Sequence, residues 1–257
     1  MASLTFSGAA ICGIIAAVSL MSGARAAPLY ALEWTRVLQP GRYLSGLLEE
    51  KGGRWRLLSR GFLPVATMTD AAITLLPLRS ARAPISNCIA EEAGVNDLWA
   101  AIKEIGWRDP LKPAYDQKSF RWLISQAAAA THVYGTLRLN VVRERGGNRV
   151  GWFVYFAKRG GLSQVLQLGA RRRAFDSVLL ALLADAWRHG TVAVRGQAIP
   201  NHLTNFTLQH CGLRHIGSGV LVHSRDGALM NTILQGDAAL SRLDGEWWMR
   251  FSVDDWR

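Results

Sequence analysis

Arg171-Arg172-Arg173 is the tightest basic run of this chain. Such a run can meet an anion with side-chain charge, or it can stand as a solvated basic turn. Acid or base chemistry needs a titratable group held in place, and three residues are candidates by type. Tyr155 lies in an apolar run, Asp185 in a helix-forming stretch and Glu246 in a Trp-dense tail. Each also has an ordinary role: Tyr155 as core, Asp185 as a helix-surface charge, Glu246 as the partner of a neighbouring Arg. No metal site is expected, because His202, His210, His215 and Cys211 fit no standard ligand spacing. The cysteines Cys12, Cys88 and Cys211 are far apart and lack CxxC spacing. That argues against a disulfide framework or a zinc knuckle and is consistent with a reducing compartment.

The elements that would position these residues follow from periodicity. Ala174 to Trp187 is the clearest helix, with Phe175, Leu179, Leu182, Leu183 and Ala186 as its core stripe and Val178 and Leu180 broadening it. A stripe that wide predicts burial against a sheet. Before it, Thr136 to Arg145, Arg149 to Lys158 and Leu162 to Leu168 read as strands, the first two joined by the turn Gly146-Gly147-Asn148. After it come a strand (Thr191 to Ile199), a short helix (Asn201 to His210) and a closing strand (His215 to His223). Further upstream, Asn87 to Glu91 is a strand. Asn96 or Asp97 caps a helix with Leu98, Trp99, Ile102 and Ile105 on one face, and Asp116 caps another with Phe120, Leu123, Ile124 and Ala127. Leu29 to Leu38 reads as a strand and Arg42 to Glu50 as a helix. Residues 54–84 have linker character, with a helix at Thr69 to Leu76. The tail adds a helix at Ala228 to Leu234.

Hydrophobic residues make up 49% and charged residues 19% of the 257, enough apolar mass to fill a core. Core packing is also the expected role of most of the ten tryptophans, including Trp122, Trp152 and Trp187. The net charge of +11 favours polyanions or the phosphates of a cofactor. Its arginines are scattered, and no stripe of Arg interleaved with aromatics predicts specific nucleic-acid binding. Residues 8–22 form an apolar run of small residues followed by Ala24-Arg25-Ala26. The run is too short to span a membrane, and no Lys or Arg precedes it within Met1 to Ser7, as a signal peptide would require. An internal helix in a cytoplasmic protein is the favoured reading. The alternative is a cleaved signal at 1–26 and export.

The order of hairpin strands, crossover helix, strand, short helix and final strand from Ser86 to Arg225 resembles the GNAT family of N-acyltransferases. Gly151-Trp152-Phe153-Val154-Tyr155, Val165-Leu166-Gln167-Leu168-Gly169-Ala170 and the tail Leu240 to Phe251 are similar to the bacterial two-domain, FemAB-related members. The resemblance implies an α/β (α+β) fold with a mixed central sheet flanked by helices. It also implies a domain plan: 1–53 as the remnant of a first GNAT-like domain, truncated upstream, with Pro28 to Gln39 as its closing strand; 54–85 as linker; and 86–257 as a complete domain.

The resemblance implies a cofactor as well, acyl-CoA such as acetyl-CoA, with an amine as acceptor. In that family the pyrophosphate sits on backbone amides at a helix N-terminus. The implied cofactor residues are Leu168, Gly169, Ala170, Arg171, Arg172, Arg173 and Ala174, together with Asn201. This sequence departs from the pattern at two places. Of the small residues expected at 172, 174 and 176 only Ala174 is present, and Leu208 stands where the family's general-acid Tyr falls. Tyr155 and Glu246 are then the catalytic candidates, and a non-catalytic GNAT-like binding or scaffold domain is the competing function. In FemAB-like enzymes the donor can be aminoacyl-tRNA, which the basic balance would suit. Oligomeric state is not specified by any of these residues.

Overall fold

A computed structural model describes residues 24–50, 83–107, 109–215 and 220–244, with backbone alone at 47–50. In chain order the elements are β1 (Arg25–Ala27), a 3-10 turn (Pro28–Ala31), β2 (Leu32–Val37), α1 (Pro40–Glu50), β3 (Ile89–Glu92) and α2 (Val95–Ile105). There follow α3 (Gln117–Ala129), α4 (Thr131–Tyr134), β4 (Thr136–Arg143), β5 (Arg149–Ala157), β6 (Leu162–Ala170) and α5 (Phe175–Arg188). The rest are β7 (Ala193–Gln197), a 3-10 turn (Pro200–His202), α6 (Leu203–Leu208), β8 (Gly212–His215), β9 (Val220–Val222) and α7 (Gly227–Gln235).

Seven strands form one mixed sheet in the order β3-β4-β5-β6-β7-β2-β8. All neighbours are antiparallel except β6 and β7, which α5 joins as a parallel crossover. The sheet separates two cores. On one face α5 packs Phe175, Val178, Leu179 and Leu182 against Phe153, Tyr155, Val165 and Leu168. On the other, Leu98 and Ile102 of α2 and Phe120 and Ile124 of α3 cover Trp152, Val154, Phe156 and Leu166. The mixed α/β architecture therefore agrees with the expected fold class.

Local chemistry explains several boundaries. Asp116 accepts from the Ser119 amide at 2.6 Å while the Ser119 hydroxyl accepts from the Asp116 amide at 3.1 Å, so α3 opens on a capping box. Gly94, not Asn96 or Asp97, is the N-cap of α2; the chain enters there in extended conformation, and Asp97 lies in the first turn, where a carboxylate suits the helix dipole. The expected closing strand from His215 to His223 is divided. β8 ends the main sheet, whereas β9 pairs with β1 in a separate two-stranded sheet. Leu32–Val37 lies within the main sheet, between β7 and β8. Trp122, expected in a core, is 52% exposed. Residues 1–23, the Thr69 to Leu76 segment and Glu246 lie outside the described residues.

Candidate functional site

β6 and β7 pair only from Leu162 to Val165 and from Ala193 to Gly196. Beyond Val165, β6 runs on against β5 alone, and β7 continues against β2. The parallel pair therefore opens like a V. A bulge lies at its vertex, because Tyr155 faces Val165 and Val154 faces Gln167, leaving Leu166 as the extra residue. The Leu166 carbonyl accepts instead from the Leu243 amide at 3.0 Å, which ties the tail to the bulge. The Arg171 amide donates to the Val150 carbonyl at 2.7 Å. By alternation along the strand, Leu168 and Ala170 turn their backbone N–H and C=O away from β5, toward the opening, where no described strand pairs with them.

A cavity of about 290 Å³ fills the V. Two tryptophans wall it, each lying over a glycine of a neighbouring strand. A Cβ at Gly169 would collide with the Trp152 ring, and a Cβ at Gly196 would come within 2.8 Å of Trp34 Nε1. Both indoles are pinned: Trp34 Nε1 donates to the Gln197 carbonyl at 3.1 Å and Trp152 Nε1 to Gln167 Oε1 at 3.1 Å. Gln167 in turn donates toward Tyr115 and Ser241. Trp107 meets Trp152 edge-on, with ring centres 5.0 Å apart.

The outer end of the cavity is the arginine turn. The Ala174 amide donates to the Arg171 carbonyl at 3.0 Å, closing a four-residue turn in which Arg173 has φ 70°. That position of such a turn favours glycine, so Arg173 holds a backbone conformation costly for its type, at the start of α5. Arg171 is paired with Glu104 at 2.9 Å. Arg172 and Arg173 have no ion pair among the described residues. Beside the cavity lies an ionic cluster around buried Glu33, which meets buried Arg242 at 2.5 Å, part-buried Arg195 at 2.9 Å and the largely exposed Arg214 at 3.3 Å. Three guanidiniums around one carboxylate leave the cluster positive, and Arg242 also lines the cavity.

The cavity gathers Leu168, Gly169, Ala170, Arg171, Arg172, Arg173 and Asn201. Ala174 is the N-cap of α5 and sits behind the turn. Tyr155 is elsewhere. It is fully buried in the core under α5, and its hydroxyl donates to Asp185 Oδ2 at 2.7 Å. Burial first, then the Asp185 charge, pushes the phenol far above its ordinary range. Asp185 is not a surface charge: it is 2% exposed and also receives Arg138 at 3.1 Å and Arg188 at 3.0 Å. Leu208, at the position of the family's acid, is 65% exposed.

The residue that sequence reasoning passed over is His202. It lines the cavity and stacks on Phe175 with ring centres 3.7 Å apart and planes 4° from parallel. Its Nδ1 is 3.1 Å from Asn205 Oδ1, and Asn205 Nδ2 donates to Asp176 Oδ2 at 3.1 Å. Burial lowers the imidazole below its usual value, against smaller opposing effects of Asn205, Asp109 and Asp176. The His202/Asn205 spacing was the one sequence signal available: three apart on a helical segment places both on one face.

No protein-family model matches the chain, and no curated protein matches it. Among solved structures, a functionally unknown conserved protein from Staphylococcus epidermidis aligns with a TM-score of 0.38 and 9% identity, over 82% of this chain and 65% of its own. L-PGS from Bacillus licheniformis aligns with a TM-score of 0.24 and 11% identity, over 59% of this chain and 64% of its own. The chain thus spans just under two thirds of either structure. At these values neither likeness carries fold or chemistry across. No helix among the described residues is long and apolar enough to cross a membrane.

Proposed function

We propose that the cleft receives a phosphate-bearing acyl donor, of which acyl-CoA is the type, and that the protein is a GNAT-like transferase passing the acyl group to an amine. The observation that carries this reading is the run of β6 past the point where β7 leaves it, ending in the arginine turn at the N-terminus of α5. The backbone groups of Leu168 and Ala170 that no described strand pairs suit the amides of an extended donor arm, which would lie against β6 as an added strand. Arg172, Arg173 and the first amides of α5 suit its phosphates. Asp176 does not spoil that end, since its carboxylate is turned to Asn205. A volume of about 290 Å³ suits the arm, with the nucleotide lying outside over the exposed arginines. When bound, the donor supplies an activated thioester; the protein's part is to hold the arm, orient the carbonyl at the V and exclude water with Trp34 and Trp152.

One observation favours a second reading, a binding module without turnover: Leu208 offers no proton where the family keeps its acid. Calorimetry with CoA and acetyl-CoA, combined with thiol release over a panel of primary amines, separates the two. The transferase binds and turns over; the module binds only. Arg172→Ala and Arg173→Ala are expected to weaken binding by about tenfold each, ~1.4 kcal/mol. No heat at millimolar CoA would remove both readings of the cleft.

A further inference from the structure

The His202–Asn205–Asp176 chain fixes a tautomer. An ionised carboxylate only accepts, so Asp176 Oδ2 requires the amide end of Asn205 at 3.1 Å. That sets Asn205 Oδ1 toward the imidazole, and an oxygen that only accepts requires a proton on Nδ1, 3.1 Å away. Neutral imidazole carries one N–H, so the lone pair is on Nε2, at the other edge of a ring clamped flat on Phe175. No described residue bonds Nε2, and His202 lines the cavity.

We infer that His202 is the general base of the cleft, taking the proton of the attacking amine at Nε2, with Asn205 and Asp176 as positioning residues. The inference rests on the transferase reading above. In the step, the amine nitrogen attacks the thioester carbonyl, the C–N bond forms and the C–S bond breaks. The proton lost by nitrogen passes to Nε2, and the C–S electron pair leaves with sulfur, which takes the proton back from the imidazolium. The base thereby also supplies the acid that Leu208 cannot. The groups facing the ring fit a base that is unprotonated at neutral pH. Asp176 acts through Asn205 from α5, Asp109 faces it from the loop after α2, and Arg172, Arg173 and Arg242 line the same cavity. Burial outweighs the two carboxylates and holds the imidazole neutral.

The first test needs no variant: nitrogen-15 NMR of the histidine-labelled full chain at neutral pH. A bare Nε2 with a proton on Nδ1 at His202 is expected, and the opposite tautomer would overturn the assignment. Carbethoxylation of His202 by diethyl pyrocarbonate is expected to slow about tenfold when CoA fills the cleft. In acetyl transfer to primary amines, His202→Gln is expected to lower kcat about 10²- to 10⁴-fold. KM for acetyl-CoA should stay within about twofold and the acid limb of the pH profile should disappear. Asn205→Leu should leave a mixed tautomer and a smaller loss of kcat. If CoA binds but His202→Gln keeps the wild-type kcat, the base falls and the donor site stands. If CoA does not bind at all, the transferase reading falls and the base with it.

Discussion

Two hydrogen-bonded chains in this molecule join a titratable ring to an aspartate, and they end differently. Tyr155 meets Asp185 at 2.7 Å under α5, where Arg138, Arg188 and, at 3.6 Å, His189 also surround the carboxylate. His202 reaches Asp176 through Asn205 at the rim of the V. In the first chain every polar atom of the ring is spent on protein, and the phenol is fully buried. In the second, one ring nitrogen is spent, the other has no partner among the described residues, and His202 lines a cavity. A perturbed titratable group is thus a poor guide by itself. What separates the two clusters is a ring nitrogen without a described partner, on a residue that lines a cavity.

The largest expected effect falls on the closed chain. Asp185→Ala strands Arg138 and the Tyr155 hydroxyl in a dry core, and Arg138 keeps only Glu92, at 3.2 Å near the surface. The loss should be about 3–5 kcal/mol in urea denaturation, with CoA affinity unchanged in protein that folds. A large loss of CoA binding without a loss of stability would erase the distinction between the two regions.

That distinction was only half visible in the sequence. Periodicity predicted α5, the hairpin of β4 and β5, and β6, because each depends on neighbours within a few residues. The charge pattern singled out Arg171-Arg172-Arg173, which line the cleft. Three things stayed hidden because they depend on long-range contacts. Leu32–Val37 could not announce that it pairs with β7 and β8, more than 150 residues away. Asp185 looked like a helix-surface charge until Arg138, 47 residues earlier, was placed beside it. Asp176 stands where the resemblance expects a small residue, and nothing local shows that it meets Asn205, 29 residues on. Tyr155 was a catalytic candidate for its residue type, and type does not reveal that the side chain is buried in the core under α5, away from the cavity.

Tyr155→Phe sharpens the comparison at smaller scale. Asp185 keeps both guanidiniums, so losing the phenol donor should cost about 1–2 kcal/mol, read from the denaturation midpoint. Donor binding and turnover should not move. Asn205→Ala should cost about as much, ~1–2 kcal/mol, because Asp176 Oδ1 is already buried without a described partner and Oδ2 would lose its donor. Its effect should appear in turnover and in the His202 tautomer as well. If the two variants exchanged these readouts, the roles assigned to the two chains would have to be exchanged as well.

The smallest effect is on stability against pH, and its sign differs between the rings. For Tyr155 the folded value is raised above the unfolded one, by burial first and Asp185 second. Its contribution is complete below about pH 10 and is lost as pH rises beyond that. For His202 the folded value is lowered, again by burial first. Below about pH 6.5 the unfolded chain accepts a proton that the folded ring resists, so stability declines as pH falls and levels off once the folded ring is protonated too. Urea midpoints for wild type and His202→Gln between about pH 5 and 8 isolate that limb, since the variant lacks it. Because the ring is only partly buried, the limb should be shallow. A steep one would mean that Nε2 is sealed from solvent, which would make the second chain as closed as the first.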